Sequence, residues 1–127
     1  MFDQLIVGVP CDKIKHQQFD AQLIDDGGDV YVCTGNALLA NYFEDVYSAN
    51  PSKIYKICRR CDDSDDDSEC VLVEEHDLQC LRDVAANNEK NRDLKRWSDE
   101  IMCLVNEVEY ALKEFGKSHM LFYVESV

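Results

Sequence analysis

The sequence predicts a single α+β domain over residues 1–127, with a mixed or antiparallel sheet and a long amphipathic helix near the C-terminal end. Three observations support this prediction. The chain has 127 residues and is 46% hydrophobic, enough for one core. Short apolar runs typical of strands occur near both ends. Residues 98–115 repeat their apolar positions at the 3.6-residue period of a helix.

The first third of the chain predicts a strand, a polar segment and a second strand that leads into a helix. Residues 3–9 (DQLIVGV) indicate a buried strand. Residues 11–28 are polar with scattered apolar side chains, and they end in two glycines, which is typical of a turn. Residues 30–32 (VYV) predict the second strand, which breaks at residues 34–36 (TGN). A short helix then runs to Phe43.

The middle of the chain predicts a hairpin followed by a weakly patterned helical segment. Residues 52–57 (SKIYKI) alternate in character and predict a strand. Residues 62–69 (DDSDDDSE) carry six acids in eight positions and predict a solvated acidic loop. Residues 70–73 (CVLV) predict the returning strand. Residues 78–97 have a helical composition that two asparagines at 87–88 are expected to interrupt.

The last third contains the clearest helix. Ser98 is predicted to cap it, acidic residues follow in the first turn, and Gly116 stands just past its end. The apolar positions between these two share one face and are Ile101, Leu104, Val105, Val108, Leu112 and Phe115. Residues 119–124 (HMLFYV) predict the final strand, which Glu125 closes.

The charge is strongly acidic, with 26 acidic and 13 basic residues and a net charge of −13. This argues against binding nucleic acid through its phosphates, which requires Lys and Arg. The charge either serves solubility or docks the protein on the basic surface of a partner protein. We expect a cytoplasmic protein without membrane contact, because there is no run of 18 apolar residues and the N-terminus lacks the basic start of a signal peptide.

The seven cysteines are expected to be reduced thiols, mostly small buried hydrophobic side chains. Cys58-x2-Cys61, with Cys70, His76 and Cys80 downstream, raises the alternative of a zinc site. The spacing beyond the first pair is irregular, and a lone CxxC is a weak signal. We therefore predict that these residues bind no metal.

Two tyrosines, Tyr31 and Tyr42, flank the strand–helix unit with ten residues between them. Two stacked rings would clamp a flat heteroaromatic ring such as nicotinamide. The spacing resembles the paired-tyrosine motif of the diphtheria-toxin-type ADP-ribosyltransferases. The chain also resembles some small acidic anti-CRISPR proteins of phages that are ADP-ribosyltransferase-like. In that family an early strand carries His-Gly and a late strand carries a catalytic Glu, where this chain has Val7-Gly8 and Glu125. Because Val7 has no imidazole, the family's hydrogen bond from His to the ribose cannot form.

The resemblance implies an NAD-dependent mono-ADP-ribosyltransferase. Glu125 would hydrogen-bond the nicotinamide ribose and stabilise the oxocarbenium-like transition state. Tyr31 and Tyr42 would sandwich the nicotinamide ring, Gly8 would contact its carboxamide through the backbone, and Thr34 would support the floor of the pocket.

Two hypotheses of different classes follow. In the first, the protein is a transferase that modifies a basic, nucleic-acid-binding host protein. In the second, it is a non-catalytic acidic inhibitor, a DNA mimic that occupies a basic groove of its partner. Transfer of label from NAD to a target protein would separate them.

Overall fold

A computed structural model describes residues 3–25, 28–58 and 68–126 of the chain, and it confirms the α+β class with a mixed sheet. The strands β1 to β6 are Asp3–Pro10, Gln18–Asp20, Asp29–Thr34, Ile54–Cys58, Ser68–Val73 and His119–Ser126. The helices α1 to α4 are Gln22–Asp25, Ala37–Ala49, Glu75–Asn88 and Lys95–Phe115. Short 3-10 turns occupy Cys11–Lys13 and Pro51–Lys53.

The described strands form one six-stranded sheet in the order β2-β4-β5-β6-β1-β3. β1 and β6 lie side by side and pair antiparallel along their full lengths, from Asp3 opposite Ser126 to Pro10 opposite His119. The remaining pairs are antiparallel too, except β2 with β4, which is parallel. β2 and β3 are therefore the edge strands.

The central strands are buried on both faces of the sheet. On β1, Ile6 belongs to the core cluster that packs with α2, α3 and α4, whereas Val7 and Val9 belong to a second cluster on the opposite face. Neighbouring residues of β6 divide in the same way, with Tyr123 in the first cluster and Phe122 in the second. Burial on both faces explains why these strands appear in the sequence as continuous apolar runs.

The long amphipathic helix is confirmed, but it begins earlier than predicted. α4 spans 21 residues from Lys95. Ser98, the predicted N-cap, lies inside the helix and is 2% exposed, so the predicted cap is wrong. The cause lies upstream, because the backbone carbonyl of Asn91 accepts hydrogen bonds from the N–H groups of Leu94 and Lys95. The first turn of α4 therefore lies before Ser98 in the sequence.

The predicted apolar face of α4 is buried along most of its length. Ile101, Leu104, Val105 and Val108 are at most 1% exposed. Phe115 departs from the prediction, because it is 53% exposed at the last turn and makes an edge contact with the ring of His119 at a centroid distance of 5.9 Å.

Other elements differ from the prediction in extent. β2 and α1 form within the segment predicted to be polar and turn-like, and α2 continues past Phe43 to Ala49. The acidic loop predicted over residues 62–69 does not include its last two residues, because Ser68 and Glu69 belong to β5 and Glu69 lies opposite Lys56 of β4. Residues 62–67 lie outside the described residues.

The segment before α4 divides as predicted, since α3 ends at Asn88. Its start at Glu75 follows a capping box in which Glu74 and Asp77 bond each other's backbone N–H groups. Within the described ranges, no helix has the length and hydropathy needed to cross a membrane.

Candidate functional site

Gln4 supports the corner where β3 turns into α2. Gly35 has a φ of 65°, a left-handed conformation that glycine adopts without strain. Asn36 then caps α2, with its side chain accepting the Leu39 N–H at 3.1 Å. The side-chain amide of Gln4 accepts the Asn36 N–H at 2.6 Å and donates to the Asn36 carbonyl at 3.0 Å. Both side chains are almost fully buried, so the corner contains a satisfied polar pair.

The same glutamine connects this corner to Glu125. Gln4 Nε2 also donates to the Tyr123 hydroxyl at 2.9 Å, and that hydroxyl donates to Glu125 Oε1 at 2.6 Å. Burial and the neighbouring Glu125 raise the pKa of Tyr123 further above neutral, so the hydroxyl is protonated and able to donate. The ring of Phe43 stacks on Tyr123 at a centroid distance of 4.2 Å. Packing and hydrogen bonds together orient the Glu125 carboxylate.

Glu125 lies on the wall of a cavity of about 380 Å³ between α2, β5 and β6, which we call the acidic pocket. Its walls combine carboxylates, aromatic rings and small side chains. The lining residues are Ala40, Phe43, Glu44, Tyr47, Glu69, Cys70, Val71, Tyr123 and Glu125. The volume is in the range of pockets that hold small ligands or single side chains. None of these described lining residues is basic.

Two of the three carboxylates in the pocket are held by tyrosines. The Tyr47 hydroxyl donates to Glu69 Oε1 at 3.2 Å, and this bond raises the pKa of Tyr47. Tyr123 holds Glu125 in the same manner. A carboxylate has two oxygens, so each can still accept a hydrogen bond from a ligand. Tyr47 is 41% exposed, and aromatic rings attract cations as carboxylates do, so the pocket is suited to an organic cation.

The structure places the five predicted site residues at different positions, all within the described ranges. Glu125 lines the acidic pocket, and the other four are not among its lining residues. Tyr31 lies opposite Ile6 on β3, near α4, where burial and then Glu100 raise its pKa. The Tyr42 ring makes an edge contact with Phe43 at 5.1 Å, and no ring contact between Tyr31 and Tyr42 occurs in the described structure.

Tyr42 has a structural partner in Asp77. Its hydroxyl donates to Asp77 Oδ1 at 2.7 Å, and burial and this bond raise the pKa of Tyr42. Asp77 is 1% exposed and is also bonded by Lys53 Nζ at 2.5 Å and by the Glu74 N–H at 2.8 Å. These contacts join α2, the turn before β4 and the start of α3. The roles of Tyr31 and Tyr42 in binding NAD stay predictions.

Gly8 and Thr34 lie at opposite ends of the β1–β3 pair. The Gly8 N–H donates to the Gly28 carbonyl at 2.8 Å. Gly8 lies opposite Leu121, four residues along β1 from the pair of Gln4 and Glu125, which is about 13 Å along a strand. The Thr34 hydroxyl is exposed and donates to Asp3 Oδ1 at 3.1 Å. The structure therefore does not bring Gly8 to the acidic pocket.

The cysteines of the described ranges are free thiols. Those ranges contain no group of three or more His, Cys, Asp or Glu side chains that could hold a metal ion. Cys70 donates to the Tyr55 carbonyl at 3.6 Å, whereas Cys80 contacts His76 Nε2 at 3.7 Å on α3. Cys61, which belongs to the predicted zinc alternative, lies outside the described residues.

Comparisons of the chain with protein-family models, with curated proteins and with solved structures found no match. They neither support nor oppose the resemblance to ADP-ribosyltransferases, which stays a prediction.

Most of the acidic pocket was missed in the sequence. A signal exists in α2, where Ala40, Phe43, Glu44 and Tyr47 follow the helical spacing of one face. That spacing predicts neighbours on the helix, but it does not predict which strand they will face. The sequence predicts that Glu69 lies in a solvated loop, and this prediction gives no indication of its place on the pocket wall.

Proposed function

We propose that the protein binds a basic partner protein without catalysing a reaction, and that the acidic pocket receives an arginine side chain of that partner. The observation that carries this proposal is the composition of one cavity, in which three carboxylates and three aromatic rings converge without a basic residue among the described lining residues. The net charge of −13 supports it, since long-range attraction would steer a basic partner toward this surface.

Arginine fits the pocket better than lysine for geometric reasons. A guanidinium is planar, so it can stack on an aromatic ring and bond a carboxylate through two parallel N–H groups. Glu69 and Glu125 each accept a tyrosine bond on one oxygen, and Glu44 is exposed beside them on α2. Lysine would offer the same charge as a point, without the planar match.

The same electrostatics disfavour a dinucleotide. NAD carries two negative phosphates, and phosphate sites are normally built from basic side chains or helix N-termini. The acidic pocket instead has Glu44 and Glu69 on its wall and no basic residue among its described lining residues. For this reason the geometry supports a cation-binding protein over a transferase.

The test uses N-acetyl-arginine methylamide as the probe, with its citrulline analogue as a neutral control of the same shape. NMR titration is expected to show that the arginine compound binds and shifts the signals of Tyr47 and Tyr123, whereas the citrulline compound does not. Glu44→Gln and Glu69→Gln are each expected to weaken binding by about two- to fivefold, in line with partly exposed ion pairs.

Glu114→Gln provides the matched control, because Glu114 is an exposed glutamate on α4 and the substitution changes the net charge equally. It is expected to leave the affinity unchanged. Equal binding of the citrulline compound, or equal weakening by Glu114→Gln, would contradict the pocket as the binding site.

The ADP-ribosyltransferase is the second candidate function. One observation favours it: Glu125, the acid that the family resemblance singles out, lines the pocket with its carboxylate oriented by Tyr123. Incubation with labelled NAD and a mixture of basic proteins tests it. A transferase would label a target, and Glu125→Gln would abolish labelling while Glu114→Gln would not. Absence of label on every basic protein offered would oppose it.

A further inference from the structure

β3 is an edge strand with a free side. It pairs with β1 on one side, and no pair on its other side occurs in the described structure. Its six residues extend over about 20 Å. The opposite edge, β2, has three residues. A free edge offers a row of unpaired backbone N–H and C=O groups, which can pair with another extended chain.

The residues of β3 favour such pairing. Its sequence, DVYVCT, is rich in β-branched and aromatic residues and contains no Pro, Lys or Arg. Proteins commonly protect an edge strand with proline, lysine or a bulge that turns the edge away. The pairing of β3 with β1 is irregular only near the Asp29 end of β3, between Ile6 and Val7 of β1. From Tyr31 to Thr34 the pairing is regular. Val32 is 53% exposed beside that free edge.

The charges near β3 are acidic. Asp29 begins the strand, and Asp3 accepts a hydrogen bond from Thr34 at the other end. Asn36, two residues after the end of β3, donates to Glu100 of α4 at 2.9 Å, and Glu100 and Glu107 both raise the pKa of Tyr31 by their charge. The surroundings of β3 are therefore acidic near both ends of the strand.

We propose that the free edge of β3 accepts an extended segment of a basic protein by strand addition. Backbone hydrogen bonds to β3 would supply the affinity, and the acidic residues near β3 would attract lysine or arginine side chains of the added strand. A second copy of this chain is a poor occupant, because each copy carries a net charge of −13. The basic character of the partner is shared with the proposed function, whereas the strand addition is independent of the acidic pocket.

The probe is a ten-residue peptide that alternates lysine and valine, with both ends blocked. The control is the same peptide with N-methyl groups on its consecutive central residues. This methylation keeps the charge of the peptide and removes the backbone N–H groups from both edges of the strand that the peptide would form. The unmethylated peptide is expected to bind at least about tenfold more tightly, a difference of about 1.4 kcal/mol. Hydrogen exchange is expected to slow at alternate amides of β3. Equal affinities of the two peptides would show that charge attraction alone causes the binding, and this result would overturn the proposal.

Two variants locate the binding. Val32→Lys adds a charge at the exposed side chain of β3 and is expected to weaken peptide binding by about fivefold or more, since like charges repel and an apolar contact is lost. Tyr110→Lys adds the same charge at a residue of α4 that is 63% exposed, and it is expected to have less effect. Equal effects would overturn the proposal, as would sedimentation showing that the free protein dimerises through β3.

The acidic pocket is tested separately. Glu44→Gln and Glu69→Gln are expected to weaken binding of the arginine compound. They are expected to leave unchanged the slowing of hydrogen exchange that the peptide causes at β3. A result that contradicts arginine binding in the pocket is therefore distinguishable from a result that contradicts strand addition at β3.

Discussion

Tyr123 and Glu125 lie two residues apart on β6 and share a hydrogen bond of 2.6 Å, which joins the carboxylate on the pocket wall to a buried polar network. Through Gln4 the network reaches Asn36, and Asn36 Nδ2 donates to Glu100 of α4 at 2.9 Å. Groups from β1, β6, α2 and α4 therefore meet in one connected arrangement. Low local dielectric strengthens such bonds and also penalises any member that loses its partner.

Tyr123→Phe is predicted to lower the free energy of unfolding by about 1–2 kcal/mol, because Gln4 and Glu125 each lose a hydrogen-bond partner. The ring keeps its stack on Phe43, so the loss reports on the hydroxyl. Urea denaturation measures it. Tyr110→Phe is the control, since Tyr110 is 63% exposed, and its effect should be within about 0.5 kcal/mol. Equal effects of the two substitutions would remove the network as a source of stability.

Lys53→Met is predicted to destabilise the fold by about 3–5 kcal/mol, because the buried Asp77 side chain would lose its cationic partner. The double variant Lys53→Met/Asp77→Asn should recover part of this loss, since no charge is then left buried. Lys113→Met is the exposed counterpart: Lys113 pairs with Glu109 and its side chain is 74% exposed, so we expect about 0–1 kcal/mol. Denaturation midpoints of these variants check the ranking, and a loss at Lys53 no larger than that at Lys113 would contradict it.

Local patterns predicted the parts of the fold whose stability comes from burial of an apolar face. α4 has the helical period over five turns, and its central residues Ile101 and Val108 are fully buried. β1 and β6 are continuous apolar runs, which the two-sided sheet explains. β2 and α1 were missed because they have three and four residues, too few for a period. β2 instead depends on parallel pairing with β4, a contact distant in sequence.

The candidate site was predictable to a smaller extent. Glu125 was singled out and does lie on a pocket wall. Its neighbours Glu44 and Glu69 come from α2 and β5, and only the tertiary packing of these elements on β6 brings them together. The ligand role predicted for Tyr42 stays a prediction, and the structure adds that the Tyr42 hydroxyl bonds Asp77. A lone sequence does not show whether a polar aromatic residue has a partner inside the fold.

Ser98→Ala is predicted to be neutral or stabilising by up to about 1 kcal/mol. In the described structure the Ser98 hydroxyl is buried without a hydrogen-bond partner, so its removal relieves a desolvation penalty and places a better helix former in α4. If Ser98 were the cap that its sequence position suggests, alanine would instead destabilise by about 1 kcal/mol. Asn36→Ala, at the observed cap of α2, should cost about 1 kcal/mol or more. Thermal or urea denaturation of both variants decides between these assignments.

The last prediction concerns alkaline pH. Burial, with smaller contributions from Glu100 and Glu69 respectively, raises the pKa of Cys33 and Cys70 from 9.0 to about 12. In the folded protein both thiols therefore stay protonated at a pH where an unfolded chain has released those protons. Their contribution to stability is complete below about pH 9 and is lost progressively as the pH rises toward 12.

We expect the free energy of unfolding to fall with pH by up to about 1.4 kcal/mol per pH unit for each thiol. Denaturation under reducing conditions between about pH 9 and 10 measures this fall, to which the tyrosines of raised pKa also contribute, so the variants below are needed to separate the thiols. Cys33→Ala/Cys70→Ala should be less stable at neutral pH and should show a shallower dependence on pH. Cys11→Ala, which removes an exposed thiol, should keep the slope of the unmodified protein. An unchanged slope in the double variant would show that the thiols of Cys33 and Cys70 do not cause the alkaline loss of stability.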